Sequence, residues 1–298
     1  MQYQSILGTV TRNSSSFIQE YLCYNYLLGY DKIVIGIDRC NDDTWDKISK
    51  CPTEVLSKVE IQIITASPYN QAILYDDIVR QYRDDATWLF MFDDDEYFYD
   101  AQNRSINEWL STVNNNTGQV LLPAIEFGHN GHITSHTPIL KTRIGALQNP
   151  IMIEPSTQWF KSVIRTNRIN TARSDGWYRT HYGIVECGDI VDNQNRTITK
   201  AVINTEEIAS IMRRGYTPSV FENFDTCIVH YGISSMEDYV NSHKKWELDS
   251  PSPYDYWDVR KAERTAKHFD DWHGENIKDT RMSTNVGQLK ELLERCKR

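Results

Sequence analysis

Apolar and polar positions alternate along residues 5–92 in the rhythm of a parallel α/β sheet, with short apolar runs separated by stretches of helical period. Ser5–Thr11 reads as a short buried strand. Ser14, Ser15 and Ser16 then offer N-caps for a helix over Phe17–Leu28, where Phe17, Tyr21, Tyr24 and Leu28 recur at helical spacing and Gly29 suits the closing left-handed position. Lys32–Ile37 is a second, β-branched strand that ends on Asp38. A helix opens at Asp42-Asp43-Thr44 and runs through Ile48, a third strand is expected at Val59–Ile64, and Gln71–Tyr82 has helical period. The fourth strand, Thr87–Phe92, runs straight into Asp93-Asp94-Asp95-Glu96. Strands alternating with helices in this way predict a doubly wound, Rossmann-like half.

Further along the rhythm changes. A helix is expected at Ile106–Val113, a turn at Asn114–Gly118, a buried strand at Gln119–Phe127 and a histidine-rich loop at Gly128–Pro138. Trp159–Ile169 reads as a strand, Asn170–Gly176 as a polar stretch, Thr197–Asn204 as an edge strand, Thr205–Arg214 as a helix and Thr226–Tyr231 as a late strand. Helical period returns at Ser235–Trp246, Asp258–His268 and Gln288–Lys297. With no repeat or linker composition, the expectation is one catalytic domain over residues 1–250, and a helical extension over 251–298 packed on it.

The composition is globular: 40% of the 298 residues are hydrophobic, enough apolar surface to offset the entropy of ordering the chain. Aromatics are abundant, and packing accounts for most of them, though Trp and Tyr faces also serve sugar rings. A net charge of -9 and the lack of a basic tract speak against nucleic-acid binding. An acidic protein that handles a nucleotide diphosphate needs a local correction to its field, and a divalent cation is the usual one. The six cysteines (Cys23, Cys40, Cys51, Cys187, Cys227, Cys296) show neither CxxC nor zinc-type spacing and read as free thiols in a reducing compartment. The N-terminus lacks signal-peptide character and no apolar run is long enough to span a membrane, so a cytoplasmic location is expected.

The acidic run carries the chemistry. Trp88–Phe92 is a wholly apolar strand, and four carboxylates follow it without a break. Adjacent carboxylates repel one another; a solvated acidic turn is the bland alternative. Directly after a buried strand, however, the run falls where open α/β sheets bind ligands. Asp93 and Asp95, two apart, would share a face of an extended chain and converge on one cation. Oxygen ligands suit Mg²⁺ or Mn²⁺, which bridge to substrate phosphates.

Seven segments occur in a telling order: Arg12-Asn13 with Glu20-Tyr21-Leu22 and Leu27–Asp31; Asp38 with Asn41–Thr44; Gln71 at a helix start; Trp88–Phe98; Phe127–His132; Lys161–Arg165; and His230-Tyr231 with Ser235 and Glu237. Together they resemble the GT-A glycosyltransferases with a DxD signature, the group related to glycosyltransferase families 2 and 92, over most of the first 250 residues. One departure is that Ser, not the usual Glu, follows Asn13. The resemblance implies a GT-A fold, a mixed Rossmann-like sheet with helices on both faces. It also implies transfer of a sugar from a nucleotide-diphosphate donor, UDP-sugar favoured, to a saccharide or glycan acceptor.

By the same resemblance, Thr9, Arg12 and Asp38 would hold the base and ribose, with Gln71, Asp93 and Asp94 also on the donor side. A carboxylate at a second-strand end can accept from ribose hydroxyls, although a turn aspartate is an equal alternative for Asp38. Asp93 and Asp95 would bind the metal, with His230 as third ligand and His181 as its competitor. Lys244 and Lys245 could pair with the diphosphate, or be ordinary surface lysines. Inverting transfer needs a base for the acceptor hydroxyl; Asp175, beside Trp177 and Tyr178, is the choice, with Glu126 and Glu186 as alternatives and a retaining mechanism as the other possibility. His129, His132, Trp177 and His181 are expected on the acceptor. His129, His132 and His136 lack the Cys or acidic partner of a zinc site. A sugar nucleotidyltransferase is the competing enzyme class, but the glycine-rich loop it needs is missing from Val10–Ser16. An inactive sugar-binding module would have little reason to keep all of Asp93–Glu96.

Overall fold

Runs rich in β-branched and aromatic residues build the centre of the sheet: β1 (Tyr3–Thr11), β2 (Lys32–Asp38), β3 (Val59–Ile64) and β4 (Ala86–Met91) lie parallel in the order β3-β2-β1-β4. The computed structural model describes residues 2–64, 70–135, 138–142, 145–146, 160–169, 185–200, 223–232, 235–239, 277–283 and 286–297. Helices α1 (Ile18–Leu28), α2 (Thr44–Ser49), α3 (Thr53–Leu56) and α4 (Asn70–Tyr82) supply the crossovers. Strand alternation sorts the core into two faces. Leu7, Ile33, Ile35, Phe90 and Phe92 join the α1 side, while Ile6, Val34, Leu89 and Met91 join Leu74 and Ile78 of α4. Each such side chain contributes about 1.5–3 kcal/mol on burial. Gly8 lets α4 pack close on β1: a Cβ there would stand 2.6 Å from Ile78 Cδ1, and the side-chain end would have to shift.

Beyond β4 the sheet becomes mixed. β8 (Phe160–Arg165) runs antiparallel between β4 and β6 (Thr117–Glu126), and β9 (Asp189–Val191) and β10 (Thr197–Lys200) complete that edge. Off this path, β11 (Thr226–His230) pairs antiparallel with β5 (Glu96–Asp100) and parallel with the last residues of β6. Short helices α5 (Ile106–Leu110) and α6 (Ile139–Thr142) and the two-residue strands β7 (Gly145–Ala146) and β12 (Ile277–Lys278) complete the described body. The terminal helix Val286–Cys296 buries Leu289, Leu292, Leu293 and Cys296 in the same core as α1. No helix among the described residues is long and apolar enough to cross a membrane.

The mixed α/β sheet with its Rossmann half is the expected GT-A architecture, and the differences from the sequence reading are local. β5 starts and ends on an acidic residue and so looks like the tail of the acidic run. β9, at three residues, is too short for periodicity to register. The strand expected to reach Ile169 stops at Arg165, where Thr166–Arg168 turns as a 3₁₀ helix, and the helix expected to reach Val113 stops at Leu110. Gly29 does close α1, with φ +85°, but no serine caps its start: Phe17 is the N-cap residue, and the Ser14 hydroxyl donates to Asp94 instead. The polar stretch 170–176, the helices expected at 205–214 and 258–268, most of 235–246 and the boundary at residue 250 lie outside the described residues.

Candidate functional site

The acidic run is a tight turn between β4 and β5, closed by Glu96 N–H donating to the Asp93 carbonyl at 3.1 Å. An aromatic layer underlies it. Tyr97 meets Tyr21 and Tyr231 edge-on, with centroids 5.6 Å apart in both cases, and Phe127 packs on Tyr231. The Tyr24 hydroxyl donates to the Phe98 carbonyl at 2.6 Å and the Tyr75 hydroxyl to the Phe92 carbonyl at 3.2 Å. A turn seated on interlocked rings has little freedom to rearrange.

The four carboxylates divide into three directions, with Asp93 and Glu96 sharing one partner. Asp94 accepts from the hydroxyls of Thr11 (2.7 Å) and Ser14, tying the turn to the end of β1. Asp93 and Glu96 each lie 3.0 Å from the ammonium of Lys161, the second residue of β8, which is 1% exposed. Burial alone would lower the lysine's pKa, but the Asp93 and Glu96 charges outweigh it and hold Lys161 above its usual value. Burial pushes Glu96 up to about 7, reinforced by Asp93 and opposed by Lys161 and His230.

Asp95 points the other way. Its Oδ1 lies 3.4 Å from His230 Nε2, and Nδ1 of the same ring lies 2.7 Å from Glu126 Oε2. Strand register makes this junction: His230, the last residue of β11, stands opposite Glu96 on one side and Glu126 on the other. The Tyr231 N–H donates to the Asp95 carbonyl at 2.9 Å and locks turn to strand. Burial would lower the His230 pKa, yet the Glu126 and Asp95 carboxylates hold it well above the usual imidazole range.

A carboxylate oxygen and an imidazole nitrogen this close, with a second carboxylate behind the ring, match the donor set of a divalent-cation site in which an outer carboxylate fixes the tautomer. Asp93 does not join them. Residues two apart share a face only in extended chain, and a turn intervenes here, so Asp93 faces Lys161. Among the described residues Asp93, Asp95 and His230 do not gather into one three-ligand set.

The family model of glycosyltransferase family 92 matches residues 43–282. The chain belongs to glycosyltransferase family 92. The matched span starts after β2 and passes residue 250. No curated protein matches the chain by sequence. Among solved structures, it is similar to TarS 1-349 of S. aureus in complex with UDP-GlcNAc, with 12% identity and a TM-score of 0.41 over 98% of this chain and 72% of that one. Another TarS 1-349 structure aligns at 12% identity and TM-score 0.36, over 55% of this chain and less than half, 47%, of that one. The galactosyltransferase LgtC in complex with donor and acceptor sugar analogs aligns at 9% identity and TM-score 0.36, over 86% and 99%.

In this family 92 chain the other expected site residues are placed as follows. Arg12 and Asp38 meet at the ends of β1 and β2, with Arg12 Nη1 3.9 Å from Asp38 Oδ2, and Arg39 also pairs with Asp38 at 2.7 Å. Thr9 is fully buried in β1. Gln71 lies in the first turn of α4, its side chain outside the described residues. His129 is buried in the loop after β6, where its Nδ1 accepts from Gly131 N–H. The His132 carbonyl accepts from Met236 N–H, pinning that loop to residues 235–239. Glu186 stands by the start of β6, roughly 30 Å along that strand from Glu126, so it is remote from the turn. Asp175, Trp177, Tyr178, His181, His136, Lys244 and Lys245 lie outside the described residues. From the sequence, Ser14 was expected as a helix cap and Lys161 as part of a motif strand, and neither these two nor Thr11 was expected to engage the acidic run. The available signal was Lys161 itself, a lysine beside the apolar Val163 and Ile164, which needs a buried counter-charge.

Proposed function

We propose that this family 92 member transfers a glycosyl group from a nucleoside-diphosphate sugar, UDP-sugar favoured, to a saccharide or glycan acceptor, with Mn²⁺ or Mg²⁺ as cofactor. The observation that carries this reading is the Asp95–His230–Glu126 relay at the strand ends, with separations of 3.4 and 2.7 Å. A divalent cation held by Asp95 and His230 would offset the charge that develops on the leaving diphosphate. Glu126 orients the ring of His230, and that engagement favours a positioning role for Glu126 over a role as base. Lys161 takes up the charge of Asp93 and Glu96, which leaves Asp95 as the carboxylate presented beside His230. Asp93 and Asp94 are assigned to the donor, and the Arg12–Asp38 pair to its base and ribose.

The acceptor is assigned to His129, His132, Trp177 and His181. Asp175 is assigned as the base that takes the proton from the acceptor hydroxyl in an inverting displacement. Six thiols outside any disulfide favour a reducing, cytoplasmic setting. The test is incubation with UDP-sugars and saccharide acceptors. The reading requires acceptor-dependent UDP release with Mn²⁺ that stops in EDTA. Pyrophosphate exchange with a sugar phosphate would favour the nucleotidyltransferase instead, and donor binding without turnover under every condition would favour a binding module.

A further inference from the structure

Cys23 lies in α1, Cys51 in the turn between α2 and α3, and Cys296 at the end of the terminal helix, yet the fold brings the three thiols together. Each sulfur lies within 4.8 Å of the other two. All three residues are buried, with relative exposures of 0%, 5% and 4%, and none is in a disulfide. Sequence spacing hid this group, because its members come from three elements and no pair forms a CxxC.

We propose that Cys23, Cys51 and Cys296 form a three-thiolate site for one soft d¹⁰ cation, zinc(II) or copper(I). Thiolate bonds of about 2.3 Å place sulfurs in trigonal or tetrahedral sites roughly 3.7–4.0 Å apart, within reach of the observed spacing. Neither carboxylate nor imidazole belongs to the set, which excludes the hard cations suited to Asp95 and His230 and selects thiophilic ones. A disulfide would join two sulfurs and strand the third. Binding of zinc(II) forms metal–sulfur bonds while the S–H protons leave to solvent, and no electrons move. Because the ligands come from α1, the α2–α3 turn and the terminal helix, the cation would clamp that helix to the body, and binding would raise stability with metal concentration.

The test titrates reduced, chelator-stripped protein with zinc(II) against a chromophoric competitor and, anaerobically, with copper(I) against a copper(I) chelator. At least one of the two ions should bind at one equivalent per chain with sulfur-to-metal absorption in the ultraviolet and a raised melting temperature. X-ray absorption of the wild-type complex, which needs no variant, should show sulfur neighbours at thiolate distance. Cys51→Ala and Cys296→Ala should each weaken binding by more than about 100-fold, the upper end of what losing an outer-shell partner costs. Cys187→Ser, at the exposed thiol, should not. The inference is overturned if neither ion binds the wild type with sulfur absorption, if the metal's neighbours are only oxygen and nitrogen, or if well-folded Cys296→Ala binds as tightly as wild type.

Discussion

Lys161→Met isolates the charge arrangement beneath the acidic turn. The ammonium is 1% exposed and lies 3.0 Å from both Asp93 and Glu96, so methionine keeps most of the volume but removes the sole lysine charge of that contact. Removing one partner of a buried ion pair typically costs about 3–5 kcal/mol, because the other charge is left desolvated. The two carboxylates share that cost unequally. Asp93 has a side chain 34% exposed and can hydrate, whereas Glu96 is 5% exposed and must protonate or drag water inward. The loss should lower the melting temperature by about 5–10 °C in a chain of this length. Calorimetric unfolding in EDTA is the assay, since it separates fold from turnover. Adding Glu96→Gln should recover about 1–3 kcal/mol by removing the stranded charge, a coupling that a double-mutant cycle measures. An unchanged melting temperature in Lys161→Met, or a double variant no more stable than the single one, would refute the reasoning.

Glu126→Gln should leave the fold intact but weaken Mn²⁺ binding about 10–100-fold, as loss of an outer-shell carboxylate does; unchanged affinity by calorimetry would remove Glu126 from the relay. Glu60 is held down to about 2, because bonds from Lys32 and Tyr82 outweigh the upward push of burial. A depressed folded value means stability fully present above the ordinary 4.5 and lost as pH falls from there towards 2. Glu60→Gln should therefore cost about 1–3 kcal/mol at neutral pH and flatten the acid limb of the melting curve, and an acid limb as steep as wild type contradicts this. Asp175→Ala should slow transfer about 10²–10⁴-fold while UDP and metal still bind; a normal transfer rate would reassign the base.

The Rossmann half was readable because its strands are short runs rich in β-branched residues set between helical stretches, so residues 5–92 placed the acidic turn correctly at the end of β4. The division of labour among the carboxylates was not readable. It depends on a turn that separates Asp93 from Asp95, and periodicity offers no sign of a turn within four acids. His230 was legible as a ligand candidate at a late strand end, but Glu126 acts on it only through the parallel β6–β11 register, a pairing of residues a hundred positions apart. Lys161 carried its own signal, a lysine inside a buried strand, without naming its partners. The cysteine group was invisible for a similar reason, since three elements distant in sequence supply one thiol each.

A cation held by Asp95 and His230 would bridge protein and donor diphosphate. Calorimetric titration of UDP into the wild-type protein and into Asp95→Asn, each with Mn²⁺ and with EDTA, tests it most directly. Mn²⁺ should tighten UDP binding strongly in the wild type, because the acidic turn repels a bare diphosphate. Most of that gain should vanish in Asp95→Asn while the fold stays intact. Equal UDP affinity with Mn²⁺ and with EDTA in the wild type, or a full metal effect in Asp95→Asn, would contradict it.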